Sequence, residues 1–183
     1  MIVQQKANQM SYYDRLEDAD AAIITAFNQD LNYFKSILFN KKGWRNDAYA
    51  IDKKGRTVHI EIKQRQGKYK DFNEFIKKYN SCYLAADKIP WMQKIMQSGY
   101  TLSEKELFIS IFDDGNTILL FDLLKPQKVE WFPNSRTWNP GQNKWTFETN
   151  IGFYWKNAVI FKKDITTNHY KKLTKKEIDN LGN

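Results

Sequence analysis

Hydrophobic positions divide the chain into stretches of different period. From Ser11 to about Phe39, Leu16, Ile23, Phe27, Leu31, Phe34 and Leu38 recur at three- or four-residue steps or their sum, which predicts helix. Ser11 and Asp14 are plausible caps, and a break near Asn28–Asp30 would divide the stretch in two. Residues 44–64 then switch to a period of two. WRNDAYAI leads into the turn DKKGR and TVHIEIKQ returns, a β-hairpin. YKDFNEFIKKY predicts a short amphipathic helix, CYLAA a buried strand, and PWMQKIMQSG a further helix with Pro90 in its first turn. ELFISIF and TILLFDLL flank DDGN, whose Asp-Gly pair predicts a second hairpin. Past Lys125, VEWF, KWTFE and GFYW alternate with Asn/Pro/Gly turns and predict further strands. Residues 156–183 form a basic, polar tail with no assigned element.

This order predicts an α/β (α+β) domain, a central mixed sheet flanked by helices with a β-rich C-terminal region. At 183 residues, without repeats or a Pro/Gly/Ser linker, the chain is expected to form a single domain. Residues 11–88 are its core and 106–183 its β-rich extension.

Composition narrows the function. A chain 42% hydrophobic with 6 Trp, 10 Tyr and 12 Phe can build a core. One cysteine, Cys82, makes no internal disulfide, so a reducing cytoplasmic setting is expected. MIVQQKANQM has no signal-peptide apolar stretch, and no run approaches the roughly 18 apolar residues of a membrane span. The net charge of +8 is unevenly placed. Residues 41–105 hold 15 Lys/Arg against 7 Asp/Glu, while 1–40 hold 3 against 5 and 106–183 hold 11 against 9. A basic surface of this kind attracts polyanions through counterion release.

The first hairpin concentrates the chemistry. Indexed from DKKGR as the loop, Ile51 faces Thr57, Tyr49 faces His59, and Asp47 faces Glu61. Ala48, Ala50, Val58 and Ile60 make one face apolar, and Asp47, Tyr49, His59, Glu61 and Lys63 share the other. Opposed carboxylates at cross-strand distance destabilise a sheet. A hard divalent cation between them, Mg²⁺ or Mn²⁺, removes that repulsion; it can also polarise a phosphate and activate water. Lys63 points into the same site, placed to stabilise charge on a phosphate. Acid-x-Lys spacing alone carries little weight. With 21 acids and 24 Lys, about two or three matches arise by chance, and the chain has two, DKK at 52–54 and EIK at 61–63. Only the second lies on an alternating strand with an acid across from it.

An acid-bearing helix, then Asp47, then Glu61-Ile62-Lys63, resembles the PD-(D/E)xK nuclease superfamily of restriction endonucleases, Holliday-junction resolvases and phage exonucleases. The likeness spans about Ser11–Lys88. The proline of the family name is absent, Asn46 standing before Asp47. It implies a restriction-endonuclease-like core and metal-dependent hydrolysis of phosphodiesters, most simply in DNA, with RNA left open. Asp47 and Glu61 would be metal ligands and Lys63 a catalytic cation. Glu17 would add the first-helix carboxylate, with Asp20 as its rival. Homodimers occur among such enzymes, so a homodimer is in keeping with the likeness. The alternative is a non-catalytic nucleic-acid-binding module on the same fold.

Arg45, Arg65, Lys68 and Lys70 flank the hairpin as phosphate contacts or as ordinary solvated cations. His59 is either a site-edge residue or a plain strand residue, and His169 is expected to be solvated. The aromatic residues from Trp131 to Trp155 either fill a sheet core or stack on unpaired bases. Two His and one Cys are too few for a zinc site, and neither a P-loop nor a GxGxxG is present.

Overall fold

The computed structural model describes residues 18–40, 46–65, 69–89, 105–125, 127–139 and 144–181. A helix over 18–31 (α1) precedes β1 (Ser36–Phe39), β2 (Ala48–Ile51) and β3 (Thr57–Gln64). The short helix α2 (Phe72–Lys78) leads to β4 (Ser81–Ala85), and β5 (Lys105–Phe112) and β6 (Thr117–Asp122) form the second hairpin. Two long strands follow, β7 (Val129–Asn139) and β8 (Lys144–Tyr154), then β9 (Val159–Lys163), β10 (Tyr170–Lys172) and α3 (Lys175–Asp179).

Seven strands form one mixed sheet in the order β1-β2-β3-β5-β6-β9-β10, and β4-β8-β7 form a second. Among the described residues of this sheet, only β3 and β5 run parallel. A parallel pair needs a long crossover, and here α2 and β4 lie within that connection. β5 is buried at all positions but its first, the mark of a strand covered on both faces. On one face α1 sets Ile24 and Phe27 against Val58, Ile60, Ile62, Ile109 and Ile111. On the other, α2 and the small sheet bring Phe75, Leu84, Ile151 and Phe153 against Phe108 and Phe121. Alternation in the sequence thus becomes three layers: α1, the large sheet, and the small sheet with α2.

The mixed α/β character agrees with the expectation; several elements do not. The predicted helix to Phe39 ends at residue 31, and β1 follows. Asn32 adopts φ 46°, and the Asn28 side chain accepts from the Phe34 N–H at 2.6 Å, closing the helix with a local bond. Phe34 is buried from the loop, whereas Leu38 is exposed on an edge strand, so their helical spacing was coincidental. KWTFE and the Gly152–Tyr154 part of GFYW belong to one strand, and CYLAA up to Ala85 joins the small sheet. Within the stretch read as a polar tail, residues 156–181 hold paired strands: β9 pairs with β6 inside the large sheet and β10 with β9. The expected caps Ser11 and Asp14 and the helix after Pro90 lie outside the described residues.

The β2–β3 turn is locked by one acid. Asp52 accepts from the Lys54 and Arg56 N–H groups and from Arg56 Nε, at 2.8–3.0 Å, while Gly55 turns at φ 82°. The Arg56 side chain first, then these amides, hold the Asp52 carboxyl down at about 2. A carboxyl depressed on folding stabilises the fold above its ordinary pKa, and that contribution disappears as pH falls through the folded value. Asp52→Asn is therefore expected to lower the urea midpoint at neutral pH, with the gap to wild type closing as pH falls from about 4 to about 2. A constant gap across that range would show that the carboxylate charge does not lock the turn.

Candidate functional site

The β2–β3 register is the one counted from the turn: Ala48 pairs with Ile60, Tyr49 with His59, Ala50 with Val58 and Ile51 with Thr57. Val58, Ile60 and Ile62 enter the α1 core, which sends His59, Glu61 and Lys63 to the opposite face. Glu61 is only 5% exposed, beside Phe108 in the neighbouring strand.

Asp47 stands one residue before β2. Its N–H donates to the Ile60 carbonyl at 3.0 Å, and its Oδ2 accepts from the Ile62 N–H at 2.7 Å. A side chain thus takes the place of the next ladder bond, fixing this carboxylate against the backbone just after Glu61. Two ammonium groups approach Glu61: Lys63 Nζ lies 3.0 Å and Lys88 Nζ 3.4 Å from Oε1. Lys88 ends a 3-10 turn following β4, so it arrives from the small sheet.

Burial pushes the Glu61 carboxyl above its ordinary value; Lys63 and Lys88 pull it down, but Asp47 adds repulsion and the net shift is upward. Burial acts to deprotonate Lys63, yet the charges of Glu61 and Asp47 outweigh it and raise its pKa. Lys63 is accordingly a firm cation at neutral pH. It is 43% exposed and lines a cleft of about 1170 Å³ between the large-sheet face and β7–β8. Lys88, Arg65 and Arg136 also line this cleft, opposed by Asp87 and Glu148.

The other expected site residues are dispersed. Glu17, Arg45 and Lys68 lie outside the described residues. Asp20, half-buried on α1, does not join Asp47 and Glu61: no group of three or more His, Cys, Asp or Glu able to hold a metal occurs among the described residues. Arg65 turns inward, its Nε 3.0 Å from Ser110 Oγ and its Nη2 donating to the Tyr83 carbonyl, and so ties the large sheet to β4. Lys70 is exposed before α2. His59 stacks edge-on with Tyr49 and lies 3.0 Å from the buried Glu106, which makes it part of the sheet's packing. His169 is exposed as expected, and also pairs with Asp30. Lys88 was not anticipated: it belongs to no motif, and only the β4 crossover brings it to Glu61.

Among the described residues no helix is long and apolar enough to cross a membrane. No family model, curated protein or solved structure matches the chain.

The Asp47 contact separates two roles. Asp47→Asn keeps an oxygen for the Ile62 N–H and should change unfolding free energy by less than about 1 kcal/mol. Asp47→Ala leaves that amide without its acceptor and should cost about 1–3 kcal/mol. Equal effects in chemical denaturation would show that the bond to Ile62 does not hold Asp47 in place.

Proposed function

We propose that the chain is a metal-dependent nuclease that hydrolyses phosphodiester bonds, most simply in DNA. The observation that carries this reading is the buried Glu61 carboxylate, repelled by Asp47 and contacted by Lys63 and Lys88, two lysines that line a cleft. Two carboxylates suit a hard cation whose remaining ligands are water and phosphate. Asp47 and Glu61 would hold Mg²⁺ or Mn²⁺; the helix carboxylate of the resembled superfamily would fall to Glu17, since Asp20 does not join them. Such an ion, when bound, polarises a phosphate oxygen and lowers the pKa of water.

The chain's own groups supply the rest. Lys63 touches Glu61 and lines the cleft, so one ammonium can neutralise the carboxylate and donate to a phosphate oxygen. Its raised pKa keeps it charged throughout. Lys88 is a second cation at the same carboxylate. Asp47, bonded to the β3 backbone, holds its position without the ion. The order of an acid-bearing helix, Asp, and Glu-x-Lys on antiparallel strands also supports membership in the PD-(D/E)xK superfamily.

One observation favours the second reading, a nucleic-acid-binding module without cleavage. Two lysines already contact Glu61, as in a structural ion pair, and among the described residues no third acid joins Asp47 and Glu61. Plasmid, single-stranded DNA and RNA incubated with Mg²⁺ or Mn²⁺ decide between them. The nuclease reading predicts cutting that EDTA stops, with Lys63→Ala and Glu61→Gln each reducing the rate by roughly 10²-fold or more. Retarded mobility without cutting would establish the binding module.

A further inference from the structure

Among the described residues the small sheet is three-stranded at one end and two-stranded at the other. β4 pairs with residues 150–154 of β8, whereas β7 continues alongside β8 to Lys144. Along β8, alternate residues share a face. Phe153 and Ile151 lie in the core, and the same face continues outward through Phe147 and Trp145. Trp131 stands opposite Ile151 in the register. Trp131, Trp145 and Phe147 are 48%, 50% and 70% exposed. The face thus runs from a packed core to exposed rings over about 20 Å, at about 3.3 Å per residue.

A row of exposed rings costs solubility unless something covers it. Charge indicates what does. Arg136 lies over the Trp145 ring, its Cζ 4.4 Å from the centroid, and Trp131 lines the cleft with Lys63, Lys88 and Arg136. Aromatic faces interleaved with cations suit an unpaired nucleic-acid strand, whose bases stack while its phosphates meet Lys and Arg. A duplex keeps its bases stacked on each other and offers these rings no face.

We infer that the exposed aromatic face of β7–β8 is a stacking platform for an unpaired strand, leading its backbone along the cleft to Lys63. This rests on the nuclease reading only in making that strand the substrate; binding itself does not require cleavage.

The test titrates oligothymidylate, and separately a duplex of equal length, into the full chain in EDTA, following tryptophan fluorescence and the anisotropy of labelled DNA. The single strand should bind more tightly and quench the fluorescence. Trp145→Ala and Phe147→Ala should each weaken binding roughly 5- to 100-fold, and Trp145→Phe should retain most of it. Arg136→Ala should reduce the salt dependence by about one counterion. Phe147 is mostly exposed, so its variant keeps the test valid if Trp145→Ala fails to fold. Equal affinity for duplex, or wild-type affinity in a folded Phe147→Ala protein, would overturn the inference. Oligothymidylate binding with no cleavage in Mg²⁺ would leave the platform standing and remove the nuclease. Cutting of duplex with no single-strand preference would do the reverse.

Discussion

Glu61 carries a charge where the fold has little water to solvate it. Removing a carboxylate from water costs several kcal/mol even after relaxation, and here a second carboxylate, Asp47, adds repulsion. The surrounding structure acts on that charge from three directions. β3 supplies Lys63 two residues on, the crossover after β4 supplies Lys88, and the backbone fixes Asp47 through the Ile62 amide. Burial above all, with Asp47, pushes the Glu61 carboxyl upward against the pull of the two lysines. A bound divalent cation would complete the balance, which links the site's electrostatics to the activity proposed for it.

Architecture determines what can approach that charge. The parallel β3–β5 pair forces a crossover, and the crossover holds β4, the strand on which the small sheet is built. Arg65 fastens the two sheets by bonding Ser110 on β5 and the Tyr83 carbonyl on β4. Past this link the large-sheet face and β7–β8 leave the cleft between them, with Lys63 on one wall and Trp131 and Arg136 on the other. A residue expected to touch phosphate is better understood as the tie that defines the cleft.

Local chemistry was legible in the sequence, and long-range placement was not. The DKKGR turn and strict alternation in TVHIEIKQ yield the β2–β3 register residue by residue, hence the common face of Glu61 and Lys63. Asp47 was expected opposite Glu61 as a metal ligand; that its carboxylate also accepts from the Ile62 N–H is encoded by no alternation pattern. Lys88 reaches Glu61 from 27 residues away through the crossover. β1 is hidden in the sequence because the spacing of Leu31, Phe34 and Leu38 imitates a helix that Asn28 and Asn32 end. β9 is five residues among lysines and asparagines, and its place beside β6 follows from tertiary pairing. The aromatic cluster divides: Phe153 and Trp155 fill the core, whereas Trp145 and Phe147 are exposed.

The most direct measurement of the central claim is a carboxyl ¹³C NMR titration of Glu61 with and without Mg²⁺. The account predicts a midpoint above the ordinary 4.5 in the absence of the ion, moving sharply downward when Mg²⁺ is added. An ordinary midpoint that Mg²⁺ leaves unmoved would contradict it.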